Sequence, residues 1–216
     1  WKSLAQDFGA ASFGGLDEQA SDTVTLAGLM ALHRVLGYHV AAPDLIAHHL
    51  VVALLSMSSC GSTASTLDRL ASGELRGALY LPTERTADEV VSTDRDGDVY
   101  VTGTVSAFTS APDADALVVW ARDGDHRGSW QLVHRGDALL HELTTLDLTR
   151  RVARVEFRDA PATTVSTMAD PDAARLTRLS ALLHASEAVG GAHRCLDLAV
   201  DNALNREQFG RPVGSF

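Results

Sequence analysis

Asn205-Arg-Glu-Gln-Phe-Gly-Arg-Pro-Val-Gly-Ser-Phe216 is the stretch on which the reading of this chain turns. Arg206 stands at the end of a long helical pattern, Gln208-Phe209-Gly210 follows as an exposed-looking step, and Pro212 cannot continue a helix. Working back toward the N-terminus, residues 170–206 read as one helix, with Asp170 as N-cap and Pro171 in the first turn. Leu176, Leu179, Leu183, Val189, Ala192, Leu196, Ala199 and Ala203 form its apolar stripe, long enough to demand other long helices as neighbours. Gly190-Gly191 in mid-helix should cost about 1 kcal/mol each relative to Ala. The reading that accounts for that cost is close approach of another backbone, against a local kink as the alternative.

Two textures precede this helix. Residues 1–75 read as helical: Leu26, Leu29, Met30, Leu32 and His33 give one stripe, and Leu45, Leu50, Val51 and Leu54 give a second helix after Pro43. Ser58 to Ser65 is a polar loop, and a short helix over about 66–71 ends at Gly73. Residues 76–168 read as strands. Asp96-Gly97 marks a turn, Ala116–Ala121 is apolar enough to be buried on both faces, and Ala153–Arg158 alternates strictly between apolar and charged. Short strands linked by turns predict a small barrel or sandwich.

The bulk numbers narrow the function classes. The chain has 216 residues, is 45% hydrophobic and carries a formal charge of −10. No basic run exceeds Arg150-Arg151, so a nucleic-acid partner is not expected. Cys60 and Cys195 are too far apart to make a disulfide framework or a metal motif, and His48-His49 lacks a carboxylate partner, so no metal site is assigned. No secretory signal opens the sequence and no apolar run reaches the roughly 18 residues of a membrane span. The expectation is a cytoplasmic protein without a membrane partner. Serine-hydrolase and dinucleotide-binding glycine motifs are absent from the sequence.

The terminal segment resembles the R-x-Q-F-G-x-P-[IV]-x-S-F signature of the acyl-CoA dehydrogenases. The order of textures is similar to that family's α+β fold: an N-terminal helical domain (1–75), a middle β-barrel or sandwich domain (76–168), and the first long helix of a C-terminal four-helix bundle (169–216). The resemblance implies FAD as cofactor, an acyl-CoA as substrate, α,β-dehydrogenation to the trans-2-enoyl-CoA, and an electron-transfer flavoprotein as acceptor. It also implies a homotetramer or an α2β2 heterotetramer. In the latter this chain is a non-catalytic partner that completes the FAD site, as in actinobacterial enzymes acting on steroid side-chain CoA thioesters.

Residue by residue, the resemblance places Arg206, Gln208 and Phe209 against the diphosphate and adenosine side of a neighbouring subunit's FAD. A guanidinium suits that task because it meets phosphate oxygens in pairs. Tyr80-Leu-Pro-Thr-Glu84 resembles the strand that lies along the flavin ring, with the Thr83 hydroxyl at the ring edge and Tyr80 and Leu81 beside it. Gly103-Thr-Val-Ser-Ala-Phe-Thr-Ser110 resembles the strand covering the flavin, with Ala107 at the usual aromatic position, Phe108 next and Thr109 as the hydroxyl. Asp147, Arg150 and Arg151, in Leu146-Asp-Leu-Thr-Arg-Arg151, read as structural.

The departures are equally specific. Arg85-Thr-Ala-Asp88 replaces the family's Gly-Ser-Asp loop, and Val105 replaces its lysine. The catalytic base is unassigned: where a minority of the family carry it on the long helix, this chain has Leu179-Ser-Ala-Leu182, and Glu187 lies elsewhere on that helix. Phe8–Leu16 resembles a family motif without its Pro-Glu part. The expectation is a gene product that carries segments beyond the 216 residues.

Overall fold

The structure is a computed structural model and describes residues 26–41, 44–58, 61–81, 89–125, 127–166 and 170–216. Phe8–Leu16, Cys60 and Thr83 lie outside the described residues.

Three helices come first: α1 (Leu26–His39), α2 (Leu45–Met57) and α3 (Ala64–Ala71). Helix α2 is apolar on nearly every side and is buried along most of its length, as a helix enclosed by other elements must be. It lies on the first strand so closely that a Cβ on Gly77 would come 2.9 Å from the Val51 Cβ. Gly73, with φ of 70°, ends the third helical segment and turns the chain into the sheet.

The strands are β1 (Gly77–Tyr80), β2 (Val90–Arg95), β3 (Asp98–Thr109), β4 (Ala116–Arg122), β5 (Gly128–His134), β6 (Ala138–Leu143) and β7 (Val152–Ser166). They form one seven-stranded sheet that closes on itself, because β4 pairs with β1, β2 and β5 while β7 pairs with β3, β5 and β6. Both turn residues of the β2–β3 hairpin, Asp96 and Gly97, have positive φ (59° and 96°), which matches the right-handed twist of the flanking strands. Strands β2 and β6 are not singled out by the sequence reading; both carry several charged or polar residues that weaken the apolar signal.

Two apolar cores result. Inside the barrel, Phe108, Phe157, Val101, Val105, Leu117, Val119, Val133 and Val155 meet. Outside it, Val118, Trp130, Leu132 and Val165 meet α2 and the long helix α4 (Asp170–Asn205) through Leu176, Leu179 and Leu183. Strand β4 contributes to both cores, which explains its unbroken apolar run. The outer core draws on all three sequence regions.

Helices α1 and α4 touch backbone to backbone. A Cβ on Gly190 would lie 1.9 Å from the Arg34 carbonyl oxygen, and one on Gly37 would lie 2.0 Å from the Glu187 carbonyl oxygen. This is the close approach expected for the mid-helix glycines, although Gly191 does not share it: its nearest atom is the Gly37 oxygen at 3.7 Å. The stripe read along α4 divides accordingly. Its first half is buried, whereas Val189 and Leu196 are exposed among the described residues.

The two glycines therefore respond oppositely to a methyl group. Gly190→Ala should force the helices apart and lower stability by roughly 1–3 kcal/mol. Gly191→Ala should be neutral or stabilising by up to about 1 kcal/mol. Chemical denaturation of both variants checks the pair, and equal effects would show that the contact does not set the cost.

Candidate functional site

A cavity of about 530 Å³ opens where the end of β1, the end of β3, helix α2 and helix α4 converge. Ile46, Ala47, Leu50 and Leu79 give it an apolar wall, and Tyr80, Leu81, Ala107 and Thr109 line the strand side. Arg150, Ser180 and His184 supply polar groups from the opposite side. The size suits a ring system or an acyl body, and a few polar groups on apolar walls suit a pocket that must orient its ligand.

The side chains at this mouth are set by an irregularity in β3. Val105 pairs with Val155 and Phe108 with Ala153, so β3 spends one residue more than β7 over this step. The bulge turns both Ser106 and Ala107 outward and keeps both Val105 and Phe108 inside. Phe108 is consequently 0% exposed in the barrel core, its ring 5.6 Å from that of Tyr80. Of the three residues read at the flavin-covering strand, Ala107 and Thr109 line the cavity, and Phe108, buried in the barrel, does not. Gly103 is tied to the same strand by a different need. Its φ is 144°, and a Cβ there would lie 2.3 Å from the Glu89 carbonyl oxygen.

Arg150 links the cavity to the long helix. Its guanidinium contacts Glu187 on α4 and the Asp147 carboxylate at 3.2 Å, while Arg151 pairs with Asp113 and Glu142. Asp147 also accepts hydrogen bonds from the Thr149 backbone and hydroxyl, which hold its carboxyl below the usual range. Arg150 thus serves as a strut and as a cavity wall, a double use that reading it as structural missed. The sequence marks it only by the doubled Arg. Ser110, buried and with φ of 66°, closes another side, and Asp44 at the start of α2 lies behind it, outside the cavity lining. Burial raises the Asp44 carboxyl above its ordinary value, opposed by its hydrogen bond with Ser110.

Three buried histidines back the apolar wall. His33 Nε2 lies 3.0 Å from His49 Nδ1 with the rings edge to face, and His48 Nδ1 accepts from the Gly77 backbone at 3.2 Å. Burial brings His33 and His48 down to about 4, with the charge of His184 adding to the effect on His33, and it pushes His49 well below its ordinary value. His48 and His49 are core groups.

The C-terminal residues lie elsewhere. After Asn205 the chain forms a hairpin of β8 (Glu207–Gln208) and β9 (Arg211–Pro212), where the sequence suggests only a helix stop. Phe209 and Gly210 make its turn with φ of 53° and 76°. Phe209 is 93% exposed, a costly conformation for an aromatic residue held in full view of solvent. The Phe216 ring returns to within 6.2 Å of it, under the Arg211 guanidinium at 3.9 Å. Arg206 and Gln208 are exposed, and among the described residues no carboxylate lies within ion-pair distance of Arg206. Arg206, Gln208 and Phe209 line neither the 530 Å³ cavity nor any contact with Tyr80, Leu81, Ala107 or Thr109 in the same chain.

Among the described residues no helix is long and apolar enough to cross a membrane. A scan against protein-family profiles finds no match. Sequence comparison aligns the whole chain, at 29% identity, with 56% of the acyl-CoA dehydrogenase IpdE2 of Mycobacterium tuberculosis. The chain thus spans about half the length of that curated relative. Among solved structures, the ChsE4–ChsE5 complex of Mycobacterium tuberculosis superposes with a TM-score of 0.81 at 23% identity, covering 99% of this chain and 58% of that one. A glutaryl-CoA dehydrogenase of Mycobacterium smegmatis in complex with FADH2 gives a TM-score of 0.78 at 17% identity, covering 100% and 61%.

The buried imidazoles make stability pH-dependent in a definite direction. An unfolded His takes up a proton below about 6.5, whereas folded His33 and His48 resist until about 4. The unfolded chain therefore binds more protons across that window, and stability falls as pH is lowered through it. The melting temperature should drop between those two pH values, and His33→Gln should show a shallower slope. An unchanged slope in the variant would remove His33 from the account.

Proposed function

We propose that this chain, a homologue of the acyl-CoA dehydrogenases with their fold, is part of an FAD-dependent enzyme that oxidises an acyl-CoA to the trans-2-enoyl-CoA. The observation that carries the reading is the convergence at one cavity of Tyr80, Leu81, Ala107 and Thr109, drawn from two motifs that independently resemble flavin-contacting strands. The described residues fit the group. Ala107 leaves room beside the β3 end, Thr109 offers a hydroxyl, and the Leu79–Leu81 strand end supplies an apolar edge for a planar ring. When bound, the flavin supplies the hydride acceptor that side chains lack. Thr83 would complete the ring-edge contacts.

The diphosphate needs cations, and the cavity has little to offer. Arg150, the guanidinium on its wall, is engaged by Glu187 and Asp147. Arg206, on an exposed hairpin without an ion pair among the described residues, is suited to meet a diphosphate held by a neighbouring subunit. Gln208 and Phe209 accompany it. An electron-transfer flavoprotein is the proposed acceptor.

A second reading has its own support. Ala107 stands where an aromatic residue normally covers the flavin, no carboxylate lines the cavity among the described residues, and one structural neighbour is the ChsE4–ChsE5 complex. In this reading the chain is the partner subunit of an α2β2 dehydrogenase and completes an FAD site through Arg206. Expression alone and with a partner subunit, followed by visible flavin absorbance, separates the readings. Flavin bound by the chain alone supports the homotetramer, and flavin only in the pair supports the heterotetramer. Flavin in neither sinks both.

Arg206→Ala should weaken FAD retention roughly 10–100-fold by removing a charge-assisted contact. Thermal stability of the flavin-free protein should change by no more than about 0.5 kcal/mol. Equilibrium dialysis and melting curves check the two halves, and unchanged flavin occupancy would remove Arg206 from the site.

A further inference from the structure

We infer that the imidazole of His184 is the proton acceptor this chain presents to the carbon beside the thioester carbonyl of a bound acyl-CoA. The inference rests on the reading of this chain as part of an acyl-CoA dehydrogenase and takes the acyl thioester to share the 530 Å³ cavity with the flavin ring.

Three observations carry it. First, His184 lines that cavity from α4, facing the same space as Tyr80, Ala107 and Thr109. Second, its ring is fixed and its tautomer follows from the fixing. Nδ1 lies 2.8 Å from the Ser180 carbonyl oxygen, which can only accept, so Nδ1 carries the hydrogen and Nε2 the lone pair. Among the described residues no hydrogen bond reaches Nε2. Third, the other carboxylate and imidazole groups near the cavity are engaged or turned away. Glu187 is bound to Arg150. His33 and His49 bond each other, and His48 receives the Gly77 backbone. Asp44 interacts with Ser110 and is not among the lining residues.

The step balances without an oxidant. The bond from the α-carbon to its hydrogen breaks, the proton goes to Nε2, and the electron pair remains on the thioester as its enolate. Nδ1 keeps its hydrogen on the Ser180 carbonyl, which steadies the imidazolium that forms. Reversal returns a proton to the α-carbon. In heavy water that return delivers deuterium, so proton transfer is measured separately from oxidation.

The probe is 3-thiaoctanoyl-CoA, a thioester with sulfur at the β-position, from which no hydride can leave. The flavin-loaded protein, with its partner subunit if the assembly contains one, is incubated with it in heavy water. Mass spectrometry of the recovered thioester reads deuterium uptake, and calorimetry reads binding. The wild type should exchange the α-hydrogens. His184→Gln should bind within a few-fold of the wild type and exchange at least about 100-fold more slowly, while Asp44→Asn should exchange as the wild type does. Wild-type exchange in His184→Gln overturns the assignment, as does loss in Asp44→Asn with His184→Gln unaffected. Binding without exchange by the wild type also overturns it. Failure of the wild type to bind the thioester overturns the acyl-CoA reading itself, and the assignment with it.

Discussion

The contact of Gly37 with the Glu187 backbone and of Gly190 with the Arg34 backbone sets the position of everything else of interest. Two backbones meet there with no room for a single methyl group on either glycine. Such a contact fixes both the separation and the axial register of the helices, because sliding by one residue would bring a side chain into the carbonyl of the partner. Helix α4 is 36 residues long, and this clamp lies past its midpoint. On one side of it, Leu176, Leu179 and Leu183 settle into the outer core and hold Ser180 and His184 over the cavity. On the other side the helix carries the terminal hairpin away from that cavity. One constraint therefore positions two chemically different ends.

The barrel supplies the other half of the geometry. Its closure leaves the β2–β4 and β4–β5 edges paired, so the sheet needs little covering beyond the helices on its outer face. The ends of β1 and β3 then become the natural floor of a cavity whose roof is α4. Arg150, joined to Glu187 across the gap, ties floor to roof. The pair is partly buried, at 24% and 15% side-chain exposure, so water screens it less than it screens a surface pair.

Much of this was legible in the residues, and the exceptions are instructive. The long helix, the apolar strand buried on both faces, the Asp96-Gly97 turn and the close helix contact at Gly190 all follow from periodicity or from the cost of glycine. The fold family followed from resemblance in motifs, chiefly the last twelve residues quoted at the outset. Phe108 could not be placed by alternation, because a one-residue bulge reverses which side chains face inward and bulges leave no compositional mark. The resemblance pointed to Leu179-Ser-Ala-Leu182 only as a place for a carboxylate that is not there, and His184 was invisible for another reason. Its importance depends on a helix crossing a strand end more than 60 positions away in sequence, and nothing local signals that. Arg150 looked structural because it is structural; its second role exists only where Glu187 and the cavity meet.

The turn at Phe209 carries a consequence for association. Phe209 is held at positive φ with its exposed ring 6.2 Å from that of Phe216, so its backbone is already confined to the small left-handed region in the isolated chain. A surface that receives this hairpin therefore freezes out little additional motion. In the proposed docking of this hairpin, changes at its tip should alter how long two chains stay together more than how often they meet.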